Sequence, residues 1–558
     1  MNEEVRSLTR CLLDADPIRL EVLARRWGLE EVPERRAEAA AALAERMRDE
    51  QRFAEVWAVL SSEEQAALGF LRAVGGAVAW LTFTRRWGPV RDMGPGRMAR
   101  ERPWEAPVSV AESLWYRGLV FRTVVEGPTG LYDAALIPDD LLPLLPVPSV
   151  PVFHLAPVPA PGEPPPPTDT LLDDLCTVLA YFQVHPVRPT AGGRWPAAAE
   201  ADLMRYLRDP DPHRWAFLRH LIGHLNWLRT DRAGYLRPAP DPIMEWLQAP
   251  PARQRLVLAR AWREDPTWND LRHVPTLRPE ETGSWRNDPL LAREAILRHL
   301  RAGRSGEWYR LRDFVEAIRE ADPDFQRPDG NYDTWYIRDA VTGAYLSGFE
   351  HWDAVEGALI RYLIRGPLAW LGMVTVAEVG EDALFSLTPT GAAFLEDGPL
   401  PEEPPPPPML LRPDFALEVP AGRRYERFQV GRVADWVHIG DPCIYRLTPA
   451  SLERARQQRI SVERVIAFLE EATGSPLPPP LRTALERWAR RGPEARLESA
   501  VVLQVQDDAL LQELAASPAT RRFIREIVAP GVALVSPEDG PKLAQALIEK
   551  GILPDVSG

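Results

Sequence analysis

Two runs of proline set the first limit on how this chain folds. The stretch 143–169, PLLPVPSVPVFHLAPVPAPGEPPPPTD, and the stretch 398–408, GPLPEEPPPPP, repeat a residue that has no backbone N–H and a locked φ. Neither run sustains a helix or a central strand. Both are expected to act as stiff, extended spacers. The rest of the 558 residues have globular composition, 45% hydrophobic and 26% charged, and that length predicts roughly three to five domains.

One pattern recurs in the blocks that the spacers separate. An amphipathic helix runs into an apolar strand, a turn, a second strand, a proline and a further helix. It is found in RGLVFRTVVEGPTGLYDAALIPDDLLPLL (117–145), NWLRTDRAGYLRPAPDPIMEWL (226–247) and LGMVTVAEVGEDALFSLTPTGAAFL (371–395). Helix, strand, turn, strand is the back half of a winged helix, whose hairpin is the wing. Capped helices lie upstream: Ser61 or Ser62 precedes one, Asp169 or Thr170 a second, and RLRDFVEAIREA ends before Asp322-Pro323. The helix VEGALIRYLIRGPLAWLGMV is broken at Gly366-Pro367. The first 60 residues read as all-helical, with Asp16-Pro17 opening a helix and Gly28 as its C′ residue.

The C-terminal block changes character. In IYRLTPASLERARQQRISVERVIAFLEE (444–471), Thr448 is placed to cap one helix, with Pro449 in its first turn. Ser461 caps the next, with Ile460 and Val465 as a hydrophobic staple. Val462, Val465, Ile466 and Leu469 form one apolar stripe. A third helix carries Leu481, Ala484, Leu485 and Trp488 and ends at Gly492. SAVVLQV (499–505) and GVALVS (531–536) read as buried strands on either side of a helix, DDALLQELAASPATRRFIREI.

The expected fold is mainly α with small β-sheets (α+β): tandem winged-helix-like units followed by an α/β domain. The expected blocks are a helical segment (1–60), a winged-helix-like domain (61–146), a Pro-rich linker (147–168), a helical and winged-helix-like domain (169–300), a further winged-helix-like domain (301–397), a second linker (398–408) and the final domain (409–558).

That final domain resembles the N-terminal domain of XPB-type DNA helicases, over about residues 409–558. The resemblance rests on MLLRPDFALEVP, with its Pro-Asp turn, on the Tyr-x-Leu-Thr helix start in YRLTPASLERARQQRISVERVIAFLEEATGSPLPPPLRTALERWAR, and on LESAVVLQVQDDALLQEL. A related fold is found in the XPB-docking subunit of the transcription and repair factor TFIIH. The resemblance implies an accessory domain that pairs with a similar domain on a partner.

What the composition excludes sharpens this. Of 66 basic residues only Lys542 and Lys550 are lysines, and neither completes G-x-x-x-x-G-K-[ST], so no P-loop motor is encoded. The expectation is a helicase-associated chain without ATPase lobes, not an enzyme, with no cofactor. A net charge of −14 opposes a surface that attracts phosphate everywhere, although 421–500 holds 14 arginines against 10 acidic residues. Three scattered cysteines, no signal-peptide layout and no long apolar run predict a cytoplasmic protein.

No catalytic constellation emerges. His220 and His224 stand at i, i+4 but lack a carboxylate or cysteine at ligand spacing, so no metal is expected. RPDGNYDTW (327–335) lacks the glycine and glutamate of a calcium loop and reads as an Asp-Gly turn. Trp215, Trp227, Trp246 and Trp488 fit apolar helical faces and read as core. If the winged helices hold DNA, the candidate contacts are Arg117 and Arg122, then Arg219, Arg229 and Arg232, then Arg361 and Arg365. The functional expectation is a helicase-associated adaptor in DNA repair or transcription, docking a protein partner and DNA. The alternative is a winged-helix transcriptional regulator that binds DNA directly.

Overall fold

Local capping chemistry places the helices where the sequence puts them. In the computed structural model, Ser61 accepts from the Glu64 N–H at 3.1 Å while Glu64 accepts from the Ser61 N–H at 2.7 Å, a reciprocal box that starts α1 (Ser62–Ala73). Asp16 caps the helix Pro17–Arg26 and Gly28 follows it at φ +71. The structure describes residues 7–127, 130–146, 153–163, 169–280, 285, 287–380, 382–492, 494 and 499–556. It divides into two units, one of 1–412 with 416–446 and one of 413–415 with 447–558. The division falls at Arg446–Leu447, inside the block 409–558 that the sequence suggests as one domain.

Helical residues and small antiparallel sheets make the class α+β, as expected. In the first unit α1 is followed by β1 (Ala77–Ala79), α2 (Trp80–Trp87), α3 (Val110–Tyr116), β2 (Phe121–Gly127) and β3 (Gly130–Leu136). The strands lie in the order β1-β3-β2, with Leu136 opposite both Ala77 and Phe121. Leu68, Leu71, Phe83, Leu114 and Phe121 close a core beneath this sheet and the N-terminal helices.

The next repeat has α4 (Thr170–Val184), α5 (Ala197–Met204), α6 (Pro212–His224), β4 (Leu228–Thr230) and β5 (Leu236–Pro238). Here the first strand is reduced to Val187, whose carbonyl accepts from the Leu236 N–H at 2.8 Å. α7 (Pro251–Glu264) packs on α6. The last repeat has α8 (Pro289–Leu300), β6 (Trp308–Arg310), α9 (Leu311–Ala321), α10 (Ala358–Leu363), β7 (Val374–Val379) and β8 (Asp382–Leu387), in the strand order β6-β8-β7. Gly366 leaves helical geometry at φ −100, ψ −106, and Pro367 follows it, so α10 runs into a π-type turn (Ile364–Leu368) at the expected break, and a second π-type turn (Asp353–Gly357) precedes it.

β9 (Leu410–Leu411), β10 (Ala416–Val419), α11 (Arg424–Val433), β11 (Asp435–His438) and β12 (Cys443–Arg446) complete the first unit, with a sheet ordered β9-β10-β12-β11. Its helix α11 lies on α4, and the joint is polar where a core would be apolar. Arg424 donates to Asp173 at 2.9 Å, Gln254 at 2.9 Å and Asp169 at 2.8 Å, and Arg427 donates to Thr177 at 2.7 Å. Both arginines are buried, where unpaired charge is untenable. Asp169 stands at the N-cap position of α4 but makes no cap bond, because its carboxylate is engaged by Arg424 and Arg255.

In their described parts the proline stretches pack against neighbouring elements. Phe153 lies against His299 and Phe314, Leu155 is buried, and the Val158 N–H donates to the Trp308 carbonyl at 2.7 Å, adding an edge bridge to β6. In the second run, Glu403 accepts from Arg255 at 2.6 Å and the carbonyls of Pro406 and Pro407 accept from Arg423 at 2.9 Å. Extended backbone leaves carbonyls free to accept, and arginines supply the donors. Residues 147–152 and 164–168 of the expected linker lie outside the described residues.

The second unit carries α12 (Pro449–Gln457), α13 (Val462–Thr473), α14 (Pro479–Arg491), β13 (Val501–Gln504), α15 (Asp508–Ala516), β14 (Ile524–Ala529), β15 (Val532–Val535) and α16 (Gly540–Glu549). The long helix expected through RFIREI ends instead at Ala516, and Ile524–Ala529 forms a strand paired with β15. The Pro530-Gly531 turn, with Gly531 at φ +71, folds that strand back as a hairpin. The strand order β13-β15-β14 puts Ala533 and Val535 on the buried side. β13 is not the buried strand expected, since Val502 is 58% exposed.

Candidate functional site

The seven arginines that sequence reasoning singles out stand on different elements, and most face carboxylates. Arg117 follows α3 and donates to Glu64 at 3.1 Å. Burial alone would raise the Glu64 carboxyl, but hydrogen bonds from Ser113 and the Ser61 backbone, with the Arg117 charge, hold it below its ordinary value. Arg122 on β2 pairs with Asp133 across the hairpin and sits 5.3 Å over the Trp80 ring. Arg219 on α6 bonds Glu200 at 2.8 Å. Arg361 bonds Asp353 at 2.7 Å and Arg365 bonds Glu378 at 2.9 Å. Arg229 on β4 and Arg232 in the β4–β5 turn are exposed, without an ion pair among the described residues.

Arg361 and Arg365 are brought to one concavity, a cleft of about 810 Å³ beside the π-type turns. Asp209, Asp211, Asp339 and Asp353 line it too, with Trp370 as an apolar wall. Asp211 caps α6 through the His213 and Arg214 N–H groups. Backbone and hydroxyl bonds from Thr342 lower the Asp339 carboxyl below its ordinary value, so it is ionised at neutral pH. The Tyr362 hydroxyl is buried without a partner among the described residues, and burial raises its pKa. With four carboxylates against two guanidiniums that already have partners, the cleft disfavours a phosphate and suits cationic or amide groups.

The helix pair in the second unit has the predicted caps. Thr448 accepts from the Ser451 N–H at 3.0 Å, and Ser461 accepts from the Arg464 N–H at 3.4 Å. α12 ends in a Schellman turn: the Ile460 N–H reaches the Ala455 carbonyl and the Arg459 N–H the Arg456 carbonyl, both at 2.9 Å. The left-handed position, usually glycine, is Arg459 at φ +63. Leu452, Ala455, Val465, Ile466 and Leu469 are buried, while Arg459 and Arg464 are exposed.

One grouping that the sequence hides comes from the loop after α7. Asp265, its C-cap residue, reaches His220 Nε2 at 2.5 Å and His224 Nδ1 at 3.4 Å. Asp265 lies 45 residues from His220, so no local spacing announces it. Of the four tryptophans expected in the core, Trp227 and Trp246 are buried, while Trp215 and Trp488 are half-buried.

Against families of known proteins, residues 409–528 match the helicase conserved C-terminal domain. The match begins in the first unit and continues into the second. No curated protein matches the chain. Among the described residues, no helix is long and apolar enough to cross a membrane.

Proposed function

We propose that this chain is a non-catalytic, helicase-associated adaptor that acts in the cytoplasm beside DNA, in repair or transcription, and docks a protein partner. The partner class is an XPB-type helicase supplied by another chain. The observation that carries the reading is a helicase-related segment, 409–528, whose strands pair antiparallel throughout their described length. Nucleotide-driven lobes are built on parallel strands with a phosphate loop after the first, and the two lysines sit in no such loop. Protein docking is favoured over duplex binding because five of the seven candidate arginines already face carboxylates.

Affinity purification from the native cell, with and without nuclease, tests the reading. Recovery of a helicase that survives nuclease treatment is the expected result. Recovery of no nucleic-acid enzyme, or ATP turnover by the purified chain on a nucleic-acid strand, refutes it.

A second reading, direct DNA binding, is favoured by one observation. In both three-stranded sheets of the first unit the first strand lies next to the last and the last two form a hairpin, an arrangement similar to a winged helix, with a further helix (Pro95–Glu101) inserted in one and a further strand (Ile337–Asp339) in the other. Arg229 and Arg232 then mark an open wing. This reading requires duplex affinity that falls steeply with salt as counterions are released. Undetectable binding at low salt eliminates it.

A further inference from the structure

We propose that His220, His224 and Asp265 form a divalent-cation site of the zinc class. The ligand atoms of all three lie within 4.8 Å of one another. The histidines stand one turn apart on α6, with nearly parallel rings at 16°. The carboxylate is delivered from the end of α7, a separate helix that packs on α6.

The spacing fits an ion. Ligands about 2.0–2.2 Å from a tetrahedral centre lie about 3.3 Å apart. His224 Nδ1 and Asp265 Oδ1 are 3.4 Å apart. His220 Nε2 faces the other carboxylate oxygen, Oδ2, at 2.5 Å, where the two share a hydrogen bond. An ion that replaces the shared proton opens that pair by about 1 Å, within the reach of a ring rotation.

The outer contacts are those of a held ligand set. Asp265 is fully buried, and its Oδ1 accepts from the Thr267 N–H at 2.7 Å and hydroxyl at 2.5 Å, fixing the carboxylate. The loop that presents it is organised by Arg293, itself 1% exposed, which donates to the carbonyls of Trp262 at 2.6 Å and Asp265 at 2.5 Å, to the Trp268 carbonyl, and to Asp270 at 2.6 Å. The histidine side chains are 26% and 32% exposed, so an ion has a path from solvent and keeps an open position. Two imidazoles and one carboxylate suit a borderline first-row ion better than calcium or magnesium, which prefer oxygen.

The test uses the full chain, dialysed against a chelator and then titrated with ZnCl2 by calorimetry and with Co2+ by visible absorption. One ion per chain and a d–d band are expected. His224→Ala, which leaves the His220–Asp265 bond intact, is expected to weaken Zn2+ binding at least tenfold, as is Asp265→Asn. His351→Ala, at a half-buried histidine elsewhere, is expected to leave binding unchanged. Absence of saturable binding at micromolar Zn2+ overturns the site, and so does binding that His224→Ala leaves unchanged.

Discussion

Replacing Arg424 with methionine tests whether buried charge holds the 409–446 segment on α4. Methionine keeps the unbranched apolar stem, so the cavity contribution is small and the loss is polar. Three charge-assisted bonds disappear, to Asp173, Gln254 and Asp169. Removing one partner of a buried pair costs about 3–5 kcal/mol when the other charge is stranded. Here neither carboxylate is stranded. Asp169 keeps Arg255 at 2.5 Å, and Asp173 keeps Arg208 at 2.5 Å and Arg427 at 3.7 Å. The expected loss is therefore near the low end, about 3 kcal/mol, including the Gln254 carbonyl left without its donor. Hydrogen exchange reads this locally, which matters in a chain too large for one two-state transition. A loss of about 3 kcal/mol accelerates exchange of the α11 amides roughly a hundredfold. Arg424→Lys is expected to fall between, since an ammonium cannot fork to three acceptors held in a guanidinium's geometry. Arg361→Met removes an ion pair whose partner Asp353 is 58% exposed and should change exchange less than about threefold. If Arg424→Met is no worse than Arg361→Met, the joint is held by apolar contact and the electrostatic argument fails.

Two further outcomes follow from single groups. Burial would raise the Asp169 carboxyl, but Arg424 and Arg255 outweigh it and hold it below the ordinary value of 3.8. The unfolded chain therefore binds that proton first on acidification, so the group's contribution is present above about pH 4 and is lost as pH falls through the lower folded value. Hydrogen exchange of the α4 and α11 amides should show the stability gap between wild type and Asp169→Asn closing below about pH 4; a gap constant down to pH 3 would contradict the assignment. In the second unit, Arg459→Gly removes a left-handed side-chain conformation while adding freedom to the unfolded chain, for a net gain of about 0.5 kcal/mol. Slower exchange of the α12 and α13 amides would register that gain, and faster exchange would show that the Arg459 side chain makes a stabilising contact.

Much of the local structure was legible in the residues themselves. Ser61, Thr448 and Ser461 cap where their spacing says they should, because a cap is made with a backbone N–H three residues away. Gly366-Pro367 breaks its helix for reasons internal to those two residues. The missing Walker lysine is likewise a property of composition alone. RFIREI shows where this stops: its apolar spacing serves a helix or a strand, and pairing with β15 decides for the strand.

The candidate site was less legible. Arginines that the sequence offers as candidate DNA contacts stand beside carboxylates such as Glu64 and Glu378, partners that no local spacing names. Asp169 is a cap by its position, yet its bond goes to Arg424, 255 residues away. Asp265 reaches the two histidines of α6 only because α6 and α7 pack together. Interactions that close within one turn of helix are written in the order of residues, since little chain entropy separates the partners. Where charges meet across tens or hundreds of residues, the pairing follows from which apolar faces pack, and that choice belongs to the tertiary structure.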